Sequence, residues 1–112
     1  MISFAKAQLQ GNVGKVEIKE TANNKPFARL SIATQESYKV DGEWQNETHW
    51  HNVVCFKPAT VKFIQNNVPV GRQVFITGDL KSATSEKDGE KKYFYELHVD
   101  DIQVGPKLPE GD

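Results

Sequence analysis

The chain has 112 residues, 38% of them hydrophobic and 26% charged, with a formal net charge of −1. That length suits one domain with its own core and excludes a second, and the composition is that of a folded, soluble domain rather than a disordered one. No apolar run approaches the ~20 residues that span a bilayer, and Lys6 and Gln8 interrupt the stretch where a secretory signal would be apolar. The single cysteine, Cys55, has no partner for an internal disulfide. The expectation is a cytoplasmic protein with no membrane association.

The net charge does not by itself suggest a polyanion as partner, but its distribution is uneven. Residues 1–40 and 57–85 each carry three more basic than acidic groups, whereas 41–56 and 86–112 are acidic. The acid is thus gathered in one hairpin and near the end of the chain, leaving the central strands mildly basic.

The elements are mostly strands. Lys15 to Glu20 alternates around Val16 and Ile18, and Asn23-Asn24-Lys25-Pro26 supplies a turn. The next run, through Tyr38, places Ala28, Leu30 and Ile32 on one face and Arg29, Ser31 and Ala33 on the other, the pattern of a sheet with one buried face. Val40 to Glu47 is polar and contains Asp41-Gly42, a dipeptide that accepts the positive φ of a tight turn. In the third strand, Thr48 to Phe56, His49, His51, Val53 and Cys55 alternate with Trp50, Asn52, Val54 and Phe56. Val61, Ile64 and Val68 then recur at helical spacing, with Pro58 before them and Asn66-Asn67 and Pro69 after. Gly71 opens a fourth strand containing Val74 and Ile76, with a bulge or bend predicted at Gly78. A turn at Lys87-Asp88-Gly89-Glu90 leads to a fifth strand with Tyr93, Tyr95, Leu97 and Val99, and the pattern stops beyond Ile102.

Five strands with one short helix between the third and fourth is the order of an OB-fold, an all-β Greek-key barrel that binds oligonucleotides or oligosaccharides on one face. The barrel is predicted over 1–104, followed by a loose tail over 105–112. Fold alone does not assign function, so the aromatics decide. Phe63 and Phe75 have core-like neighbours, and Phe4, Phe27 and Phe94 suit a core or an interface. Tyr38, Trp44 and Trp50 stand in polar surroundings and are expected to be exposed. Every nucleobase has a π-face, so such rings hold single strands with little sequence preference, at ~1 to 3 kcal/mol per stacked base. Lys15, Arg29, Lys39, Lys57 and Lys81 are the candidate phosphate contacts; the ordinary alternative for each is a solvated surface group.

Three blocks carry a resemblance: Ile32-Ala33-Thr34-Gln35-Glu36-Ser37-Tyr38, then Glu47 to Phe56 (ETHWHNVVCF), then Gly71 to Gly78 (GRQVFITG). In order and spacing they resemble the bacterial single-stranded DNA-binding protein family, over about Leu9 to Val104. The resemblance implies that Trp50, Phe56 and Tyr38 stack on DNA, and that the chain forms a homo-oligomer, a tetramer before a dimer, with His51 near the subunit interface. The small residues Ala5 and Ala7 suit an edge strand that pairs with its copy. The chain departs from the family where Asn52 replaces a common arginine and where Ala83-Thr84-Ser85-Glu86 replaces a basic, tryptophan-containing hairpin, for which Trp44 is the candidate substitute. Glu110-Gly111-Asp112 lacks the aromatic end of the family's acidic recruiting tip, so replication or repair proteins are expected to be met by another route.

Other classes of function have thinner support. Cys55 with His49 or His51 suggests a thiol and base, but period two also places all three in core and interface packing. His49-x-His51 is half a zinc site with no second pair, and Asp100-Asp101 with Glu96 reads as a solvated strand end before a Mg²⁺ site. No enzyme, cofactor or metal is expected. The competing reading is a primosome-type OB-fold accessory protein that binds mainly protein and binds single strands weakly, a reading the missing basic groups favour.

Overall fold

The computed structural model describes residues 3–106. Five strands, β1 (Lys6–Glu20), β2 (Pro26–Val40), β3 (Glu43–Cys55), β4 (Gln73–Lys87) and β5 (Glu90–Val104), and one helix, α1 (Pro58–Asn67), follow one another along the chain. The strands close into a barrel in the order β1-β2-β3-β5-β4, the predicted architecture. All neighbours are antiparallel except β3 and β5, which pair in parallel only at Val53–Leu97 and Val54–His98. This short parallel seam closes the barrel.

Alternation fills the interior. Ala28, Leu30 and Ile32 of β2 face inward beside Cys55, Val53 and His51 of β3, their cross-strand partners, and the residues of this set other than His51 are fully buried. Val74 and Ile76 of β4, with Leu97, Val99 and Ile102 of β5, complete the wall. Helix α1 begins on Pro58 and sends Val61 and Ile64 into the same core, joined by Val68 just past its end, as their spacing predicts. Phe63 lies off that stripe and is 39% exposed, which corrects its expected place in the core.

The strands run longer than their patterns suggest. β1 starts at Lys6 and crosses a bulge at Gly14, where the register passes from Val13–Ile32 to Lys15–Ser31. Residues 43–47, expected as a connection, are paired strand, so the β2–β3 turn is only Asp41-Gly42, with φ of 51° and 82°. Asp88-Gly89 repeats this turn at 54° and 79°. Both central residues of such a two-residue turn need positive φ, which Asp tolerates and Gly accepts without strain. Val104 still pairs with Val74 beyond the expected strand end, and past Pro106 the expected tail lies outside the described residues. The predicted irregularity at Gly78 is present: the register shifts between Thr77 and Gly78, leaving Asp100 as the extra residue on β5.

Two hairpins therefore project from the barrel as arms, β2–β3 around Gln35–Thr48 and β4–β5 around the Asp88-Gly89 turn. The radius of gyration is 16.3 Å, where a compact domain of this size has ~13 Å. The arms account for the excess.

Candidate nucleic-acid interface

On β3 the residues that alternate with the core set, Trp44, Trp50, Asn52 and Val54, face outward, and Phe56 follows just past the strand's last residue, Cys55. Trp50 is 62% exposed. Its cross-strand partner on β2 is Ala33, and the edge of its six-membered ring reaches the bulge residue Gly14, where a Cβ would overlap Cζ3 and Cη2 of the indole. Two small residues thus leave room for the indole on this face, where most of it meets solvent. Further along the arm Trp44 is 69% exposed and sits beneath the Lys39 ammonium, 5.5 Å from the ring centroid, a cation–π contact. Tyr38 is exposed as expected, but strand alternation puts it on the opposite face of the arm, across from Gln45. Trp44 and Trp50 thus share one face of β3, six residues apart, and Tyr38 lies on the other.

Phe56 is 51% exposed and has company. Phe27 of β2 stacks on it with ring centroids 5.4 Å apart, and His98 of β5 tilts against it at 5.6 Å. Beside these rings Arg29 donates to Glu96 at 3.0 Å, and His98 Nε2 lies 3.6 Å from the same carboxylate. Val54, whose strand partners are Arg29 and His98, is buried although it faces away from the core.

The five candidate phosphate contacts divide. Lys57 donates to the Asp100 carboxylate at 2.7 Å, Lys15 pairs with Glu17, and Arg29 is held by Glu96. Hydrogen bonding to Lys57 holds the Asp100 carboxyl below its usual range, and the same contact raises the Lys57 ammonium. Glu17 accepts from both Lys15 and Lys19 and titrates at about 2. Lys39 and Lys81 have no carboxylate within ion-pair distance among the described residues. Three of the five candidates are thus already neutralised by a carboxylate and two are not.

A groove of about 290 Å³ opens where β3 and β5 part. Ala7, Leu9, His51, Leu80, Tyr95 and Leu97 line it, with Trp50 at its rim. Two of the three predicted interface residues, Ala7 and His51, therefore meet in one place. Ala5 is exposed just before β1, its carbonyl accepting from the Leu80 N–H at 3.0 Å. The His51 ring is tied to the Thr34 hydroxyl at 2.9 Å, whereas His49 turns toward Glu36 and Glu47. Cys55 is fully buried, and burial raises its thiol.

Sequence reasoning missed Tyr93 and Tyr95, 74% and 66% exposed. They share the inward parity of Leu97 and Val99 but sit where β5 has already left the barrel. The missing signal was where the strand stops facing a core. The role of Gly14 beside Trp50 was missed as well, because it depends on β1 and β3 meeting across β2.

The model of the single-strand binding protein family matches residues 4–105. The single-stranded DNA-binding protein of Rickettsia typhi is 34% identical over 99 residues, covering 85% of this chain and 65% of that protein. Its counterpart in Rhizobium meliloti is also 34% identical, over 85% of this chain and 57% of its own length. The chain thus spans less than two thirds of these curated relatives. Among solved structures, the Plasmodium falciparum SSB complex with ssDNA superposes with a TM-score of 0.83 at 25% identity, over 95% of this chain and 98% of that one. The small single-stranded DNA-binding protein of Streptomyces coelicolor shares the fold at a TM-score of 0.74 and 20% identity, over 93% and 96% of the two chains. With a closed five-stranded barrel, outward aromatics on β3 and a family match along nearly its whole length, the chain belongs to the single-strand binding protein family.

Proposed function

We propose that this protein binds single-stranded DNA without sequence preference and without catalysing a reaction, protecting it in the cytoplasm during replication, recombination or repair. The observation that carries this reading is the exposed Trp50 indole against Gly14, next to Ala33. Trp50 shares its outward face with the exposed Trp44 and, just past the strand, Phe56; several large rings left in water on one face mark a binding surface, and stacking on them needs no particular base. The name of the Plasmodium falciparum complex and those of the curated relatives support the same ligand. Trp44 and Phe56 extend the stacking surface, Lys39 and Lys81 supply cations, and Lys15, Arg29 and Lys57 join only by exchanging a carboxylate for a phosphate. Tyr38 serves a strand that wraps the opposite face of the arm.

The protein acts as a homo-oligomer, a tetramer in this reading. Residues 6–11 of β1 pair with β4, while pairing with β2 starts only at Asn12, so one edge of that segment is open for a second copy. Ala5, Ala7 and His51 lie at or beside that edge and its groove.

The test is a titration of fluorescein-labelled oligo-dT followed by anisotropy. Trp50→Ala is expected to lower affinity roughly 5- to 100-fold, and Lys81→Ala by clearly less, because one phosphate contact is diluted among several. Equal affinity of wild type and Trp50→Ala would overturn the reading.

A further inference from the structure

We propose that Phe27 and His98 are part of the base-stacking surface, so that Phe27, Phe56 and His98 form one aromatic shelf across β2, β3 and β5. The proposal rests on the single-strand-binding reading above and adds two contact residues to it. The three rings belong to adjacent strands at the barrel seam, with Phe56 in the middle. Their planes are only 23° and 31° apart, yet the centroids are separated by 5.4 and 5.6 Å. Ring centroids that far apart are offset rather than face to face, and Phe56 keeps half of its surface bare.

The setting selects flat, uncharged partners. Arg29–Glu96, Lys57–Asp100 and Lys6–Asp79 surround the shelf with ion pairs, and His98 has Asp79 as its strand neighbour on β4. These pairs leave little field to draw in a phosphate, while the bare half of Phe56, flanked by the partly exposed Phe27 and His98, matches unpaired bases. The His98 imidazole, 25% exposed and placed beside Glu96, is held in position rather than free to swing, which lowers the entropy lost when a base lands on it.

The experiment compares the whole chain with Phe27→Leu, His98→Leu and His98→Phe in the oligo-dT titration, with Trp50→Ala alongside. Melting curves check that each variant folds, and light scattering gives its assembly mass. Each leucine variant is expected to lose fivefold or more in affinity, with His98→Phe binding at least as tightly as wild type. His98→Phe also keeps the test open if a leucine variant unfolds. Leucine variants within twofold of wild type, beside a weakened Trp50→Ala, would overturn this inference and leave the general reading standing. A His98→Phe variant as weak as His98→Leu would overturn it too, as would leucine variants whose only change is a smaller assembly, since the shelf would then be a subunit contact. Absence of binding by the wild type would overturn both.

Discussion

Trp50 stays on the outside of the barrel because its strand alternates and the neighbouring strands give it room. Ala33 is small and Gly14 has no side chain, so the indole fits where a bulkier pair would push it aside. Gly14→Ala is expected to displace the ring. The displaced group is an exposed side chain, so the loss of stability stays within the ~0.5 kcal/mol usual for surface changes, while oligo-dT affinity falls at least threefold. Tryptophan emission and a melting curve measured together check this, and a variant with unshifted emission and full affinity contradicts it. Period two in the sequence was enough to assign Trp50 and Phe56 to the outward face and Val53 and Cys55 to the inward one. The same parity misleads for Tyr93 and Tyr95, because alternation continues along an arm after the core has ended.

At the scale of elements, the bulge on β5 decides what Lys57 does. The extra residue is Asp100, and its carboxylate accepts from the Lys57 ammonium across 43 residues of sequence. Arg29 finds Glu96 across 67. No local pattern reveals such pairs, and for that reason the lysines and the arginine were legible as cations but not as cations already engaged. Asp100 is well exposed, so Asp100→Asn leaves the fold intact and removes the charge that neutralises Lys57, which keeps its hydrogen bond to the Asp100 carbonyl at 3.1 Å. It should bind oligo-dT more tightly than wild type, with a slope of log affinity against log salt steeper by about 0.7, the increment for one phosphate on a single strand. An unchanged slope would remove Lys57 from the interface.

The same elements set the acid response. Glu17, held at about 2 by Lys15 and Lys19, and the lowered Asp79 and Asp100 all favour the charged form in the folded state. A depressed carboxyl contributes stability above its ordinary value and loses it as pH falls through the folded one. For Glu17 that window runs from 4.5 down to about 2. The melting temperature should be flat between pH 7 and about 5 and decline below, and Glu17→Gln should flatten the lowest part of that decline. The effect is modest, because these groups are solvated. A decline that Glu17→Gln leaves unaltered would place the acid sensitivity elsewhere.

For the whole molecule, two features converge at the seam between β3 and β5. The groove containing Ala7 and His51 suits a second copy, and the rings on the outer face suit a strand of DNA. Ala7→Glu puts a charge into that groove and should yield a smaller particle in light scattering at micromolar concentration, with the barrel still folded. An unchanged mass would move the subunit contact elsewhere. The order of elements in the barrel was readable from the sequence because each strand carries its own period, whereas closure and the two arms depend on pairings between distant strands.

The central claim is that stacking on exposed rings, more than charge, holds the nucleic acid, and its salt dependence tests this most directly. Affinity for an oligo-dT of about eight nucleotides, the span of one OB barrel, is measured at 0.1 and 1 M NaCl. With Lys39 and Lys81 as the unpaired candidate cations, two phosphate contacts predict a loss of roughly 25-fold across that decade. If all five candidate cations bound phosphate, the loss would be roughly 3,000-fold, and a result of that size would contradict the account.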